Sequence, residues 1–320
     1  MIKKYTFCLV LLALLNPVLW GLYISDYSED EHYRFANSDN FIGTGYNFSG
    51  VGMNLSYGEN GLWATMISPN VFITCEHWYP GTGTTMTFWE DNNSLNYITR
   101  TVSDRGTRIG QTDLWLGTLD QALPSNYAYY DISNDFGDPF DQNNTVFSVG
   151  IHHEVEDNTV VDRTEFVVAN SQRIVSPDPE EFEIQGEYIG YGLKSYYAFN
   201  REDAHSEGGD SGAPIFLFNN DELRLLGINS GGGPILYQDK NDNGVYDQYI
   251  DTSGYHRSYF MDLDYYNDDI DAYMELYSIP EPATIFGVLP VAILGLFCFL
   301  RKRKCTQKNE GLRKDTFTCC

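Results

Sequence analysis

"HSEGGDSGAPIF", His205–Phe216, sets two adjacent glycines, an Asp-Ser pair and a third glycine directly ahead of an apolar run. Glycine weakens strand and helix interiors, so such a cluster belongs where the backbone bends sharply or approaches another group closely. Ser211 sits at the centre of that bend. A serine becomes a nucleophile only with a base to take its proton and donors to hold the oxyanion that forms. The turn can supply the donors itself, if the N–H groups of Gly209 and Ser211 point at one spot. Side chains at 208 and 209 would obstruct that path. The base has to come from elsewhere in the chain.

Six histidines are available. His32 lies in a polar, acidic stretch, His205 precedes the glycine turn, and His256 lies near the apolar-periodic segment at the end of the body. His152 and His153 are neighbours on an expected strand, where successive side chains face opposite ways and chelate poorly, so no metal site is expected there. His77 follows directly from "VFITC" in "ITCEHW", and the end of a strand holds a general base rigidly. A base also needs a carboxylate to fix its tautomer. Asp113 opens the apolar segment of "TDLWLGTL" and is expected to be partly buried, whereas Asp104, Asp120 and Asp131 sit in polar, turn-like surroundings.

Outward from these motifs the body reads as short strands and turns. "LWATMI" and "VFITC" flank the turn signal "SPN", so Leu62 to Cys75 reads as a hairpin. Runs at 145–151, 159–169, 213–218 and 223–230 also read as strands. Only Asp262–Tyr277 looks helical: Leu263, Tyr266, Ile270, Tyr273 and Met274 recur at three- and four-residue spacing, with Asp262 or Asp264 as a cap. Many strands and one late helix predict an all-β barrel or sandwich class.

"ITCEHW", "TDLWLGTL" and "EGGDSGAP", in that order, resemble the His, Asp and Ser motifs of trypsin-like serine proteases. The resemblance implies two six-stranded antiparallel β-barrels packed face to face with a C-terminal helix over residues 22–278. It implies catalytic roles for His77 (base), Asp113 (orienter) and Ser211 (nucleophile), with an oxyanion hole from Gly209 and Ser211. It further implies a substrate-binding wall from His205, Ser206, Ser230, Gly231 and Gly232, and no cofactor. The chain departs from the family at Cys75 and Glu76, which stand where two alanines normally precede the histidine, and at Trp78, which replaces a cysteine. A Cys–His nucleophile is the rival reading of Cys75, but no glycine turn accompanies it, and a small packed cysteine is the simpler one.

The two ends read as addresses. Residues 1–21 carry Lys3 and Lys4 ahead of an apolar run, the layout of a secretory signal peptide. Pro280-Glu281-Pro282 precedes an apolar run from Ala283 to Leu300, which is followed by four cations, Arg301 to Lys304. Eighteen residues span about 27 Å as a helix, near the lower limit for a bilayer core. The order closely resembles the PEP-CTERM sorting signal of bacteria, here residues 279–304, with residues 305–320 as a cytoplasmic tail. That resemblance implies a transmembrane helix, an exosortase-type partner and delivery to the cell surface or beyond.

Of 20 Lys and Arg, nine lie outside residues 22–279, against three of 45 Asp and Glu. So acidic a body repels nucleic acid and anionic membrane surfaces. Cys75 is the sole cysteine of the body, so the body holds by its core without an internal disulfide. "DKNDNGVYD", 239–247, resembles a calcium loop, although Ile250 stands where a bidentate acid is expected; an ordinary Asn/Asp/Gly turn is the competing reading. Together these features predict an exported serine endopeptidase acting on protein or peptide. The alternatives are an inactive protease-fold binding module and a structural matrix protein at the cell surface.

Overall fold

The computed structural model describes residues 21–278, except 25, 55–60, 134–144, 157–158, 171–179, 185–187, 199–203, 207, 220–221, 235–236, 239–247 and 250–254. The chain divides into two units, Met1–Ser278 and Ile279–Cys320. The expected leader (apart from Gly21), sorting segment, cytoplasmic tail and calcium-like loop lie outside the described residues.

The hairpin read from sequence is the spine of the first sheet. Its strands are β1 (Val51–Asn54), β2 (Leu62–Met66), β3 (Val71–Cys75), β4 (Thr85–Trp89), β5 (Tyr97–Thr101), β6 (Thr107–Arg108) and β7 (Leu114–Thr118), in the order β5-β4-β1-β2-β3-β7-β6. All pairs are antiparallel. An antiparallel bridge between Val102 and Leu119 ties the far edge of this sheet back to the end of β7. Side chains alternate across a strand. Ala64, Met66, Phe72, Met86 and Phe88 therefore fill the inside of the ring, while Trp63, Val71, Ile73 and Cys75 face the second sheet. Burial on both faces explains why "LWATM" and "VFITC" read as continuous apolar runs rather than alternating ones.

The second sheet contains β8 (Thr145–Glu156), β9 (Thr159–Asn170), β10 (Glu180–Ile184), β11 (Tyr188–Ala198), β12 (Pro214–Asn219), β13 (Glu222–Pro234) and β14 (Tyr255–Asp262), in the order β9-β8-β12-β13-β14-β11-β10. Val146, Ile215, Leu217, Leu226 and Phe260 form its own cluster. Phe147, Val149, Phe166, Phe216 and Ile228 meet the first sheet in the shared core. Two two-residue ladders, Tyr23–Ile24 with Ala204–His205 and Tyr237–Gln238 with Gln248–Tyr249, lie outside the two large sheets.

The expectation of mostly β structure holds, with seven strands per sheet where six were expected. In the first sheet the extra strand is the two-residue β6, formed where the chain doubles back on β7 through the turn Ile109–Thr112. In the second it is β10, which covers the otherwise unpaired edge of β11. The late helix, α1, also starts later than expected, at Asn267, and runs to Tyr277 with no side-chain cap. Asp262 Oδ1 instead accepts the N–H of Asp264, closing the turn that leads into the helix. Ile270 and Tyr273 bury one face of α1 against the shared core. Among the described residues no helix is long and apolar enough to cross a membrane.

Candidate active site

β3 and β7 are antiparallel neighbours with Cys75 opposite Leu114, so the residues just past one and just before the other emerge together. Those residues are His77 and Asp113. Asp113 is fully buried, and its Oδ1 accepts the backbone N–H groups of Glu76 (3.1 Å) and His77 (2.9 Å). His77 Nδ1 lies 2.8 Å from Asp113 Oδ2 and 2.9 Å from Oδ1. On the other side of the ring, Nε2 lies 2.9 Å from Ser211 Oγ. A carboxylate only accepts, so Nδ1 carries the proton and Nε2 is left to accept from the serine hydroxyl. The imidazole is 13% exposed, open on one side while Asp113 is sealed.

Ser211 arrives from the second sheet on the turn between Ala204–His205 and β12. Gly209 and Gly212 have φ of +100° and +86°, which side chains resist. A Cβ on Gly212 would lie 2.2 Å from Thr74 Oγ1 on β3. The glycine therefore lets the serine turn press directly against the strand that delivers the histidine. Asp210 turns inward, fully buried, and its Oδ1 accepts the N–H of Ile151 at 2.9 Å. Gly21 and Leu22 lie beside it: Leu22 N–H donates to Ile151 O, and a Cβ on Gly150 would touch both Leu22 and Asp210.

The remaining sequence-predicted residues belong to the strands and turn around Ser211. Ser206 is buried, and its N–H donates to Ser258 Oγ at 2.9 Å. The register of β13 against β14 shifts between Asn229 and Gly231, so Ser230 sits in a bulge, buried, with an unpaired Oγ. A Cβ on Gly231 would meet nothing within 4 Å, so this stretch borders open space. Gly232 pairs its backbone with Ser258, and His205 pairs its backbone with Tyr23. Sequence reasoning gave neither Trp63 nor Asn229 a contact with the serine turn. Trp63 Nε1 donates to Gly209 O at 3.1 Å, and Asn229 Nδ2 donates to Asp210 O at 3.0 Å.

Cys75, His77 and Asp113 each bring one ligand-type atom within 4.8 Å of the others. Burial, and next the charge of Asp113, push the Cys75 thiol well above its usual pKa. A thiol held protonated is a poor nucleophile. Its Sγ faces Trp78 O at 3.7 Å, and the His77 Nδ1 that would share a metal is bonded to Asp113. The geometry is thus a hydrogen-bonded line from Ser211 through His77 to Asp113, with the Cys75 thiol packed beside it.

No protein-family model and no curated protein matches the chain. Among solved structures it is similar to a scabies mite inactivated protease paralogue, S-D1. The two share 11% identity over 72% of this chain and 94% of that one, with a TM-score of 0.42.

Proposed function

We propose that the chain is an exported serine endopeptidase of trypsin-like, two-barrel architecture. Its body, residues 22–278, is released from a leader and sorted to the cell surface through residues 279–304 by an exosortase-type enzyme, after a transient stay in the membrane. Ser211 Oγ attacks the scissile carbonyl carbon as its proton passes to His77 Nε2. Asp113 stabilises the imidazolium, and the N–H groups of Gly209 and Ser211 receive the oxyanion. His77 then returns the proton to the departing amine, and water repeats the sequence to free the acyl group. The observation that carries this reading is the unbroken line Ser211 Oγ, His77 Nε2, His77 Nδ1, Asp113, with both links under 3 Å. Substrate backbone lies along Ser230–Gly232, beside the open space at Gly231.

A fluorophosphonate probe tests it, because it labels only a serine whose proton is being withdrawn. Expected is stoichiometric labelling of the purified protein, abolished in Ser211→Ala, and cleavage of a peptide library by the same preparation. Folded protein that neither labels nor cleaves would instead be a binding module built on the same frame.

A further inference from the structure

The N–H groups of Gly209 and Ser211 each share a planar trans peptide with the carbonyl of the preceding residue, and the two bonds of that peptide point in opposite directions. Whatever grips the carbonyl of Gly208 therefore aims the N–H of Gly209. Whatever grips the carbonyl of Asp210 aims the N–H of Ser211. Both are gripped. Gly208 O accepts the N–H of Gly21 at 2.5 Å. Asp210 O accepts two donors, Ala213 N–H at 2.9 Å and Asn229 Nδ2 at 3.0 Å. The carbonyl between them, that of Gly209, accepts Trp63 Nε1 at 3.1 Å. Three consecutive carbonyls of a glycine-rich turn are tied to the N-terminal segment, to β2 and to β13.

Asn229 shows a further sign of its role. It is 1% exposed, and its Oδ1 has no hydrogen-bond partner among the described residues. An orphaned buried acceptor is destabilising, and an apolar side chain of similar size would avoid it. The Nδ2 bond to the oxyanion turn is what the amide offers in return. A carbonyl that accepts two donors also polarises the N–H of its own peptide, strengthening it as a donor.

We propose that Asn229 and Trp63 are positioning residues of the oxyanion hole: Asn229, on the Asp210 carbonyl, aims the Ser211 N–H at the reacting oxygen, and Trp63, on the Gly209 carbonyl, fixes the intervening Gly209–Asp210 peptide that links the two donors. This rests on the protease reading above. The test compares wild type, Asn229→Leu and Trp63→Phe in peptide hydrolysis and in affinity for a peptide boronic acid, which forms a tetrahedral adduct on the serine. Each variant loses about 5- to 10-fold in kcat, the scale of one net hydrogen bond, with KM nearly unchanged. Boronate affinity falls in step with kcat/KM. Asn229→Leu melts no lower than wild type, because the orphan oxygen goes with the amide. Should that variant fail to fold, Trp63→Phe still decides the matter. Wild-type kcat in the folded variants, or a loss confined to KM with boronate affinity intact, overturns the positioning role alone. A wild type that neither cleaves peptides nor binds the boronate overturns the protease reading and this one with it.

Discussion

Asp113 gathers the backbone N–H groups of Glu76 and His77 as well as the imidazole, all on a carboxylate sealed from water. The backbone donors fix its position, so the carboxylate in turn fixes the ring. Asp113→Asn tests this with almost no change of shape. The asparagine Oδ1 still satisfies the two backbone amides, but its NH2 faces Nδ1 and needs an acceptor there. The imidazole then carries its proton on Nε2, where it cannot take one from Ser211. Expected is a fall of about 10⁴ in kcat, the size known for this change in the trypsin template, with unaltered circular dichroism. Near-normal turnover by the variant would mean that Asp113 does not set the tautomer. His77, Asp113 and Ser211 were legible because each carries a local mark: a strand end, an acid opening an apolar run, a serine among glycines. Trp63 and Asn229 carry none. A tryptophan in an apolar strand reads as core, and nothing near it says that its partner is 146 residues away.

Elements were legible where burial wrote a pattern into them. The Leu62–Cys75 hairpin and the cores of β8, β9, β12 and β13 are buried and apolar. β5 is exposed or half-buried throughout, and "YITRT" carries no apolar run. The start of α1 was misplaced because "DLDYY" continues the helical spacing while its backbone makes a turn, and Leu263 and Tyr266 are buried from that turn. The turn has a pH dependence of its own. Burial pushes the Asp262 carboxyl up to about 6, against partial relief from the N–H groups of Tyr265 and Asp264. The folded chain therefore holds this proton more tightly than the unfolded chain. Below about pH 4 both states hold it, and the group has no effect. Between about pH 4 and about 6 the unfolded chain has given up the proton while the folded chain still holds it, so stability declines across that window, and the decline ends once the folded carboxyl ionises above about 6. Asp262→Asn keeps an acceptor for the Asp264 N–H and never ionises. Its melting temperature should match wild type near pH 4, exceed it increasingly up to about pH 6, and hold a steady advantage from there to pH 7. A constant difference across that range would remove Asp262 as the cause.

For the molecule as a whole, the segment before β1 matters more than its sequence suggests. Residues 21–50 show no sustained periodicity, and an aperiodic stretch gives no hint of what it crosses. In the fold it crosses both sheets, and Arg34 is its fastening. The Arg34 N–H donates to Phe166 O on β9, its Nη2 to Trp89 O and Asp91 O, and its Nε to Asn92 Oδ1 at the end of the β4–β5 hairpin. The guanidinium carbon sits 4.9 Å from the centre of the Phe166 ring. Burial lowers its pKa to about 10, so it stays charged at neutral pH. A buried charge is kept only when it is well met. Here carbonyl oxygens and an aromatic face from different sheets meet Nε, Nη2 and the guanidinium carbon, while Nη1 has no partner among the described residues. Arg34→Met preserves most of the stem volume while removing every side-chain donor, leaving the Trp89 and Asp91 carbonyls without this partner. The expected cost is about 2–4 kcal/mol in urea unfolding, against about 0.5 kcal/mol for an ordinary surface change. Arg34→Lys should fall between, because one ammonium cannot reproduce the fork that spans both carbonyls and Asn92. The order wild type, lysine, methionine separates loss of donors from loss of packing: if lysine proves as damaging as methionine, the fork itself is what joins the sheets, and if both match wild type, the segment is fastened elsewhere.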